Sequence, residues 1–550
     1  MGRIAMILRQ HWAIGIVIVA ALLMRAHNLT QETLWMDEFF SIKAAVAFGE
    51  IIRSGEYIRQ VGVVPVFYFL LLRGWISLFG SGLFAMRFLS VLFGAAGIYA
   101  LYMLGAKLRN RTTGLIAAFL LSIHAGHFFH SQDVRHYTLF LFLTVLLFFL
   151  FDRYMATRRP RILGALLLTE LFLAHTHFFG IFTILVIHVL HAVDTKANDG
   201  KQWNRYHGWG LGALGLSFIV YAGLSEDNLS NRISAIGPKT LLAQFREIAQ
   251  WFAYGGDEFA ERDIRIPLMS SRFAAPLMIV TMILGAWQWY RTDHRKCLTV
   301  LLWLTLPLAA LFFISKLYRP VLLQRHIFNL TPAYLLLVAA GIDGLWCKRK
   351  LLGVLALCGV MATMLPALWA QTNQIKRFPL HEAAASVQEM YKKGDIIIVE
   401  PSYCRHHFAY YLNPSFGLQF RSALTDTAIQ TPYVASYTGE GDERFWFYSS
   451  VKMFGGCEDA TVLEPEKPVY IITRAERLLP VFVYYPYSLY PDRIIIVTNQ
   501  WASKKERAFR LLESRVLRPF YRVTYTRDWN NNDITVTVFE RTDARLPERL

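Results

Sequence analysis

The chain has 550 residues, of which 54% are hydrophobic, 15% aromatic and only 18% charged, with a formal net charge of +17. Soluble domains usually carry about a quarter charged residues, so this composition excludes an ordinary soluble globular protein. The cations lie mostly in short loops between apolar runs, and no soluble segment carries a basic stripe interleaved with aromatics, which excludes a nucleic-acid-binding reading.

The apolar runs are long enough to cross a bilayer, which takes about 20 residues as helix. Hydrocarbon offers the backbone no partners, so such runs are helices. They are placed at roughly 11–26, 86–106, 113–130, 134–151, 162–179, 180–193, 208–224, 274–290, 297–314, 326–346 and 351–369, giving about 11 spans. The first run follows Arg3 and Arg9 and is read as an uncleaved anchor, with Arg25 snorkelling from its end.

Alternation of these spans collects Arg3 and Arg9, Lys107–Arg111, Arg153–Arg161, Lys196–Arg205, Arg291–Lys296 and Lys348–Lys350 on one face, which the positive-inside rule assigns to the cytoplasm. Residues 64–79 (VPVFYFLLLRGWISLF) would break this alternation if they spanned, and Arg73 sits in their middle. They are therefore read as an interfacial helix on the outer side. The outer face also carries the long loops 27–85 and 225–273, and an amphipathic surface helix at 238–252.

Residues 1–370 thus form a membrane domain, and 371–550 change character. A helix at 380–392 leads into the strand IIIVE, and VYIIT, RIIIVT, FYRVTYT and ITVTVF follow as strands, with a helix near 503–516. This pattern predicts a small extracytoplasmic α/β domain. No C-x-x-C pair exists among the five cysteines. Cys404 and Cys457 are the two in the C-terminal domain, and either a disulfide or two free thiols fits them.

Ionisable residues at a membrane edge are functional candidates, and four groups of them lie at the outer helix ends. Asp37-Glu38 follows the first span and opens a helix in the long outer loop. Asp caps helices well, and such a carboxylate can also act as a general base or metal ligand. In SQDVRHYTLF, Arg135 begins a span and can grip a phosphate bidentately, snorkel, or pair with Asp133. In LAHTHFFG, His175 and His177 are two apart, so joint metal binding requires a helix break, which Gly180 allows; interfacial hydrogen bonding is the plainer role. In SKLYRPVLLQRHIFNLTPAY, Lys316, Arg319, Arg325 and His326 put cations where the positive-inside rule does not. An anionic ligand accounts for them, as do anionic lipid headgroups bound without specificity.

At these motifs the sequence resembles the GT-C fold glycosyltransferases, and more narrowly the bacterial protein O-mannosyltransferase and lipid A aminoarabinose transferase group. The resemblance rests on Asp37-Glu38 in the first outer loop, on SQDVRHYTLF as a Ser-Gln-x-x-Arg-x-Tyr stretch, and on the run from Lys316 through Arg325-His326 to Pro332. It covers roughly residues 1–370. It implies transfer of a sugar, usually with inversion, from a polyprenyl-phosphate donor to a glycan, lipid or protein acceptor on the outer face of a bacterial inner membrane, with the N-terminus cytoplasmic. On that resemblance Asp37 is the catalytic carboxylate and Glu38 orients it or touches the acceptor. Arg135 and Arg325 hold the donor phosphate, with Lys316 and His326 beside them, and Tyr137, His175, His177 and Tyr318 are further candidates. Some relatives use a divalent metal and others do not, and the resemblance assigns none here. One departure is the start of the interfacial helix. Gly62-Val63-Val64-Pro65-Val66 replaces the His or Asp and Pro-Pro pair of many relatives.

Two other classes share part of this inventory. A transporter or flippase also needs membrane cations, but predicts inverted repeats and helices broken at the midplane. A polymerase or ligase of lipid-linked glycans shares the cation-rich edge without a special need for Asp37.

Overall fold

The computed structural model of the chain describes residues 2–34, 36–46, 65–193, 241–255, 270–317, 321–373, 379–392, 395–399, 471–473, 492–498, 507–529 and 534–542, with isolated residues between. The chain divides into two compact units, Met1–Gln31 with Ile51–Lys376, and Glu32–Glu50 with Arg377–Leu550.

The first unit is an α-helical membrane body. Among the described residues, six helices are long and apolar enough to cross a membrane: Leu83–Leu108, Tyr137–Thr157, Arg272–Thr292, His294–Leu317, Phe328–Lys348 and Lys350–Asn373. Arg111–Ile123 and Ala125–Ser131 make a seventh if the pair, bent by 65°, is one span. Trp12–Ala26, Val66–Phe79 and Gly180–Val193 are shorter apolar helices. The helix expected at 208–224 falls almost wholly outside the described residues, as do Cys404, Cys457 and Tyr318.

Two expected spans are interrupted. The 113–130 run breaks at His124, whose extended backbone ends one helix while its Nδ1 accepts from the His127 backbone N–H at 3.2 Å and caps the next. The 162–179 run stops at Ala174, and a five-residue corner leads to the helix that starts at Gly180. Both interruptions place polar side chains at helix ends, where apolar periodicity carries no signal.

The Thr331–Lys348 helix is central, because every residue from Thr331 to Gly344 is buried. Such a helix is apolar all round instead of amphipathic. It crosses Ala275–Thr292 closely through Gly285 and Gly341. Small residues at the crossing let two backbones approach, as membrane helix pairs require.

Arg25 does not snorkel. It is 0% exposed, inside the membrane unit, and donates to Ser131 Oγ, the Ser122 carbonyl and His127 Nδ1. The amphipathic helix, Leu241–Tyr254, is only partly a surface helix. Leu242 and Phe245 are exposed, whereas Trp251–Tyr254 are buried and Gly255 packs on Gly126.

The second unit is an α/β domain. Its strands are β1 (Ile396–Val399), β2 (Ile471–Thr473), β3 (Arg493–Thr498), β4 (Tyr521–Trp529) and β5 (Ile534–Arg541), in the order β2-β1-β3-β5-β4. β1 runs parallel to both neighbours, and β5 is antiparallel to β3 and β4. Alternate residues point to one face of a strand. Ile397 and Val399, Ile495 and Val497, and Ile534, Val536 and Val538 therefore share a face, against Leu380, Ala383, Ala384 and Val387 of the Leu380–Met390 helix. Phe39 completes this core. Burying a phenylalanine side chain contributes about 1.5–3 kcal/mol, and Phe39 ties Glu32–Glu50 to the unit it belongs to.

Candidate active site

The carboxylate pair opens the Met36–Val46 helix, as the sequence predicts, with Asp37 and Glu38 in its first turn. Acids there suit the helix dipole. Ser41 Oγ donates to the Asp37 carbonyl at 3.0 Å, and the Tyr411 hydroxyl accepts from the Leu34 N–H just before the helix. Phe39 anchors the helix in the β-sheet core. The two carboxylates differ in environment: Asp37 is partly exposed, whereas Glu38 is 0% exposed.

The cationic residues belong to the membrane unit and converge from three chain corners. The first corner is the 132–136 turn. Gln132 Nε2 donates to the carbonyls of Arg25 and His27, the Arg135 N–H donates to the Asp133 carbonyl at 2.8 Å, and Ser90 Oγ donates to the Arg135 carbonyl at 3.3 Å. These bonds fix the turn from both sides. Arg135 lies over the Tyr137 ring at 5.6 Å, and His136 caps the Tyr137–Thr157 helix through its backbone.

The second corner is 175–179. The Phe179 N–H donates to His177 Nδ1 at 3.2 Å, and the His177 ring stacks on Phe140 at 4.4 Å between centroids. His175 plays a different part. Its carbonyl accepts from the Phe67 N–H at 3.2 Å, and Phe67 stacks on Phe172, which fastens the Val66–Phe79 helix to this corner. Tyr68, buried on that helix, sits edge-on to His136 at 6.2 Å.

The third corner follows the His294–Leu317 helix. Ser315 Oγ accepts from the backbone N–H groups of Val321 and Leu322 and turns the chain into a 3₁₀ segment, Gln324–His326. There Arg325 and His326 are both partly exposed, and His326 Nδ1 lies 2.7 Å from the Val321 carbonyl. Lys316, at the helix end, is exposed and lies over the Phe312 ring at 5.9 Å.

The corners meet through rings. His177 is 5.2 Å from His136, 5.6 Å from His326 and 6.1 Å from Tyr137, and His130 is 4.5 Å from Tyr137. Burial first, and then Arg135 and the neighbouring imidazoles of His177, His130 and His326 that would share its charge, hold the His136 imidazole well below its ordinary value. His177 is lowered likewise, by burial first and then by His326, Arg135 and Arg325. His175, away from these charges, is lowered by burial alone. The arginines acting on these two imidazoles are Arg135 on both and Arg325 on His177. Two guanidinium groups beside buried imidazoles can meet an anion.

The structure thus gathers Arg135, Tyr137, His177, Arg325 and His326, while His175 points its backbone, not its ring, into a structural role. Sequence reasoning missed His136 and Tyr68. His136 lies inside the SQDVRHYTLF motif, but nothing in the spacing tells which way a residue at a helix cap points. The helix break that joint metal binding by His175 and His177 requires is present. Among the described residues, however, no three His, Cys, Asp or Glu side chains are arranged to hold a metal ion.

Residues 63–220 match the family model described as dolichyl-phosphate-mannose-protein mannosyltransferase. No curated protein matches the chain. The fold is similar to two crystal structures of ArnT from Cupriavidus metallidurans. The form bound to undecaprenyl phosphate aligns with a TM-score of 0.52 at 14% identity, over 96% of this chain and 98% of that one. The apo form aligns with a TM-score of 0.51 at 13% identity, over the same shares of both chains. The chain has the GT-C fold expected from its motifs, a polytopic helical membrane body with a C-terminal α/β domain.

Proposed function

We propose that this GT-C fold protein is a glycosyltransferase that moves a sugar from a polyprenyl-phosphate-linked donor to a glycan, lipid or protein acceptor on the outer face of a membrane. The observation that carries the reading is the convergence of Arg135, His136, His177, Arg325 and His326 from three chain corners of the membrane unit. The matched mannosyltransferase family and the undecaprenyl phosphate in the ArnT structure support the donor class.

In this mechanism Asp37 takes the proton of the acceptor nucleophile, as a positioned carboxylate can. The nucleophile bonds to the anomeric carbon from the face opposite the phosphate, and the bond from that carbon to the phosphate oxygen breaks. Its electron pair stays on the phosphate, and the configuration inverts. Arg135 and Arg325, with Lys316 and His326, hold the phosphate and stabilise the charge that gathers on it. Glu38 orients Asp37 or contacts the acceptor. The polyprenyl chain lies against the membrane-facing helices.

The test is release of polyprenyl phosphate from a panel of polyprenyl-phosphate sugars, with membrane-extract acceptors, by purified wild type, Asp37→Asn and Arg135→Ala. Wild type is expected to release it, Asp37→Asn to be inactive while folded, and Arg135→Ala to need far more donor. Equal release by wild type and Asp37→Asn would remove Asp37 from the chemistry. Donor carried across a bilayer without release would replace the transferase with a flippase.

A further inference from the structure

His136 and His177 are the residues of the cluster to which the mechanism above gives no role, and His136 is the more telling of the two. It is 6% exposed, and its Nδ1 is buried without a hydrogen-bond partner. A buried polar atom left unpaired is costly, so an orphan in a built site points to a missing ligand atom. The groups that face it come from every adjoining corner: Arg135 and Tyr137 on its own turn, His130 on the Ala125–Ser131 helix, His177 at the 175–179 corner, His326 in the 3₁₀ segment and Tyr68 on the Val66–Phe79 helix.

The hydrogen bonds fix two tautomers. His177 Nδ1 accepts from the Phe179 N–H, so its neutral ring carries the proton on Nε2. His326 Nδ1 faces the Val321 carbonyl and donates to it, so its neutral ring carries no proton on Nε2. The neutral cluster therefore offers an anion fewer N–H groups than it has ring nitrogens. Burial and the surrounding cations keep His136 and His177 uncharged while no anion is present. A dianion brought among them reverses that balance, because opposite charge favours the protonated ring.

We propose that His136, with His177 and His326, forms a proton-gaining pocket for a phosphate dianion, so that the site holds the phosphomonoester it releases more strongly than the phosphodiester it receives. The inference rests on the donor-phosphate reading and adds to it a charge-selective group. The phosphodiester of a lipid-linked sugar carries one negative charge. When the bond from the anomeric carbon to oxygen breaks, the electron pair remains on that oxygen and the phosphate becomes a monoester of up to two negative charges. One proton from solvent adds to a ring nitrogen, which then donates to the phosphate oxygen. The acceptor's own proton goes to Asp37. The ring proton returns to solvent when the lipid phosphate leaves. His136 here touches the leaving group directly and lowers the barrier by stabilising charge that is absent from the ground state.

The experiment is calorimetric binding of undecaprenyl phosphate and of its methyl diester, at pH 7.5, in two buffers of different ionisation enthalpy. A phosphomonoester has its second pKa near ~6, so at this pH it arrives largely as the dianion. Wild type is expected to take up about one proton on binding the monoester and none on binding the diester. His136→Phe, which keeps a ring in place, is expected to lose the uptake and about tenfold in monoester affinity, more than it loses for the diester, with a cooperative thermal melt in detergent as its measure of correct folding. His136→Asn, which keeps a neutral hydrogen-bonding group, is expected to lose the uptake as well. Uptake that persists in both variants places the proton elsewhere and overturns the proposal. Equal affinity for both esters without uptake overturns it too, but leaves the donor reading intact. Failure of wild type to bind either ester overturns both.

Discussion

Arg25 and His127 meet inside the membrane unit, with Nη2 of the arginine 2.8 Å from Nδ1 of the histidine. The arginine donates, so the neutral imidazole carries its own proton on Nε2. Other guanidinium contacts go to Ser131 Oγ at 3.2 Å, the Ser122 carbonyl at 2.9 Å and the Ala21 carbonyl at 3.3 Å, all neutral groups. One side chain thus ties the first helix to both arms of the span that breaks at His124. The turn carrying Arg135 begins directly after Ser131.

Replacing Arg25 should therefore loosen the bent span and the turn beyond it. Gly94 leaves room for Ser131, whose Oγ would lie 2.5 Å from an added Cβ, so the fit allows little repacking. Arg25→Met orphans several buried acceptors, each costing about 1–3 kcal/mol, and Arg25→Lys restores only one contact. Thermal denaturation in detergent should show a clear drop for both, larger for methionine. Unchanged melting would mean that the network is dispensable.

A second buried network is predicted to be purely structural. Asp343 accepts from Asn110 Nδ2 at 2.8 Å and Thr113 Oγ1 at 3.2 Å, and pairs with Arg109 Nε at 3.5 Å. Arg109 is also stacked over Trp289 at 5.6 Å. Removing one partner of a buried ion pair strands the other, at a cost of about 3–5 kcal/mol. Asp343→Ala should lower stability by that order while leaving donor affinity of the folded fraction unchanged. A selective loss of donor affinity would show that the network reaches the site.

The crossing of Ala275–Thr292 on Thr331–Lys348 allows a sharper test. A Cβ on Gly285 would lie 2.0 Å from the Leu337 carbonyl oxygen, and one on Gly341 would lie 2.1 Å from the Thr281 carbonyl oxygen. Both obstacles are backbone, so neither can swing aside. Gly285→Val or Gly341→Val should force the helices apart and abolish recovery of folded protein. A control at Gly164, where nothing lies within 4 Å of the added atom, should be tolerated. Normal recovery of both crossing variants would mean that this packing is wrong.

These cases show what the sequence could and could not carry. Apolar run length located the helices 83–108, 180–193 and 350–373 within a few residues, because hydrocarbon leaves the backbone one solution. The strands were legible for a similar reason, since alternation and β-branched residues mark RIIIVT and ITVTVF. The motifs around Arg135 and Arg325 were legible as unexpected charge at helix ends. The attachment of Phe39 to a sheet more than 350 residues away was not, because a local helix pattern does not name its distant partner. Burial of Arg25 was hidden similarly. An arginine at a helix end reads as snorkelling until Ser131 and His127 are known to lie beside it. The inward turn of His136 depends on the 132–136 corner, which Ser90 and Gln132 fix from other parts of the chain.

The histidine cluster predicts how stability depends on pH. The imidazoles of His136 and His177 are held well below their ordinary value in the folded protein, by burial first and by neighbouring cations second. In the unfolded chain they titrate near ~6.5. Between the lowered folded values and that pH the unfolded chain binds more protons than the folded one, so stability rises with pH there. Their full contribution is therefore present above about 6.5 and is lost as the pH falls below it. The melting temperature in detergent should fall from pH 7.5 to pH 5.5, and His136→Phe should flatten the slope by removing one titrating ring. Undecaprenyl phosphate should flatten it in wild type as well, because a bound anion lets the rings charge within the fold. A steep acid slope that neither the substitution nor the lipid phosphate changes would place the titrating groups elsewhere in the chain.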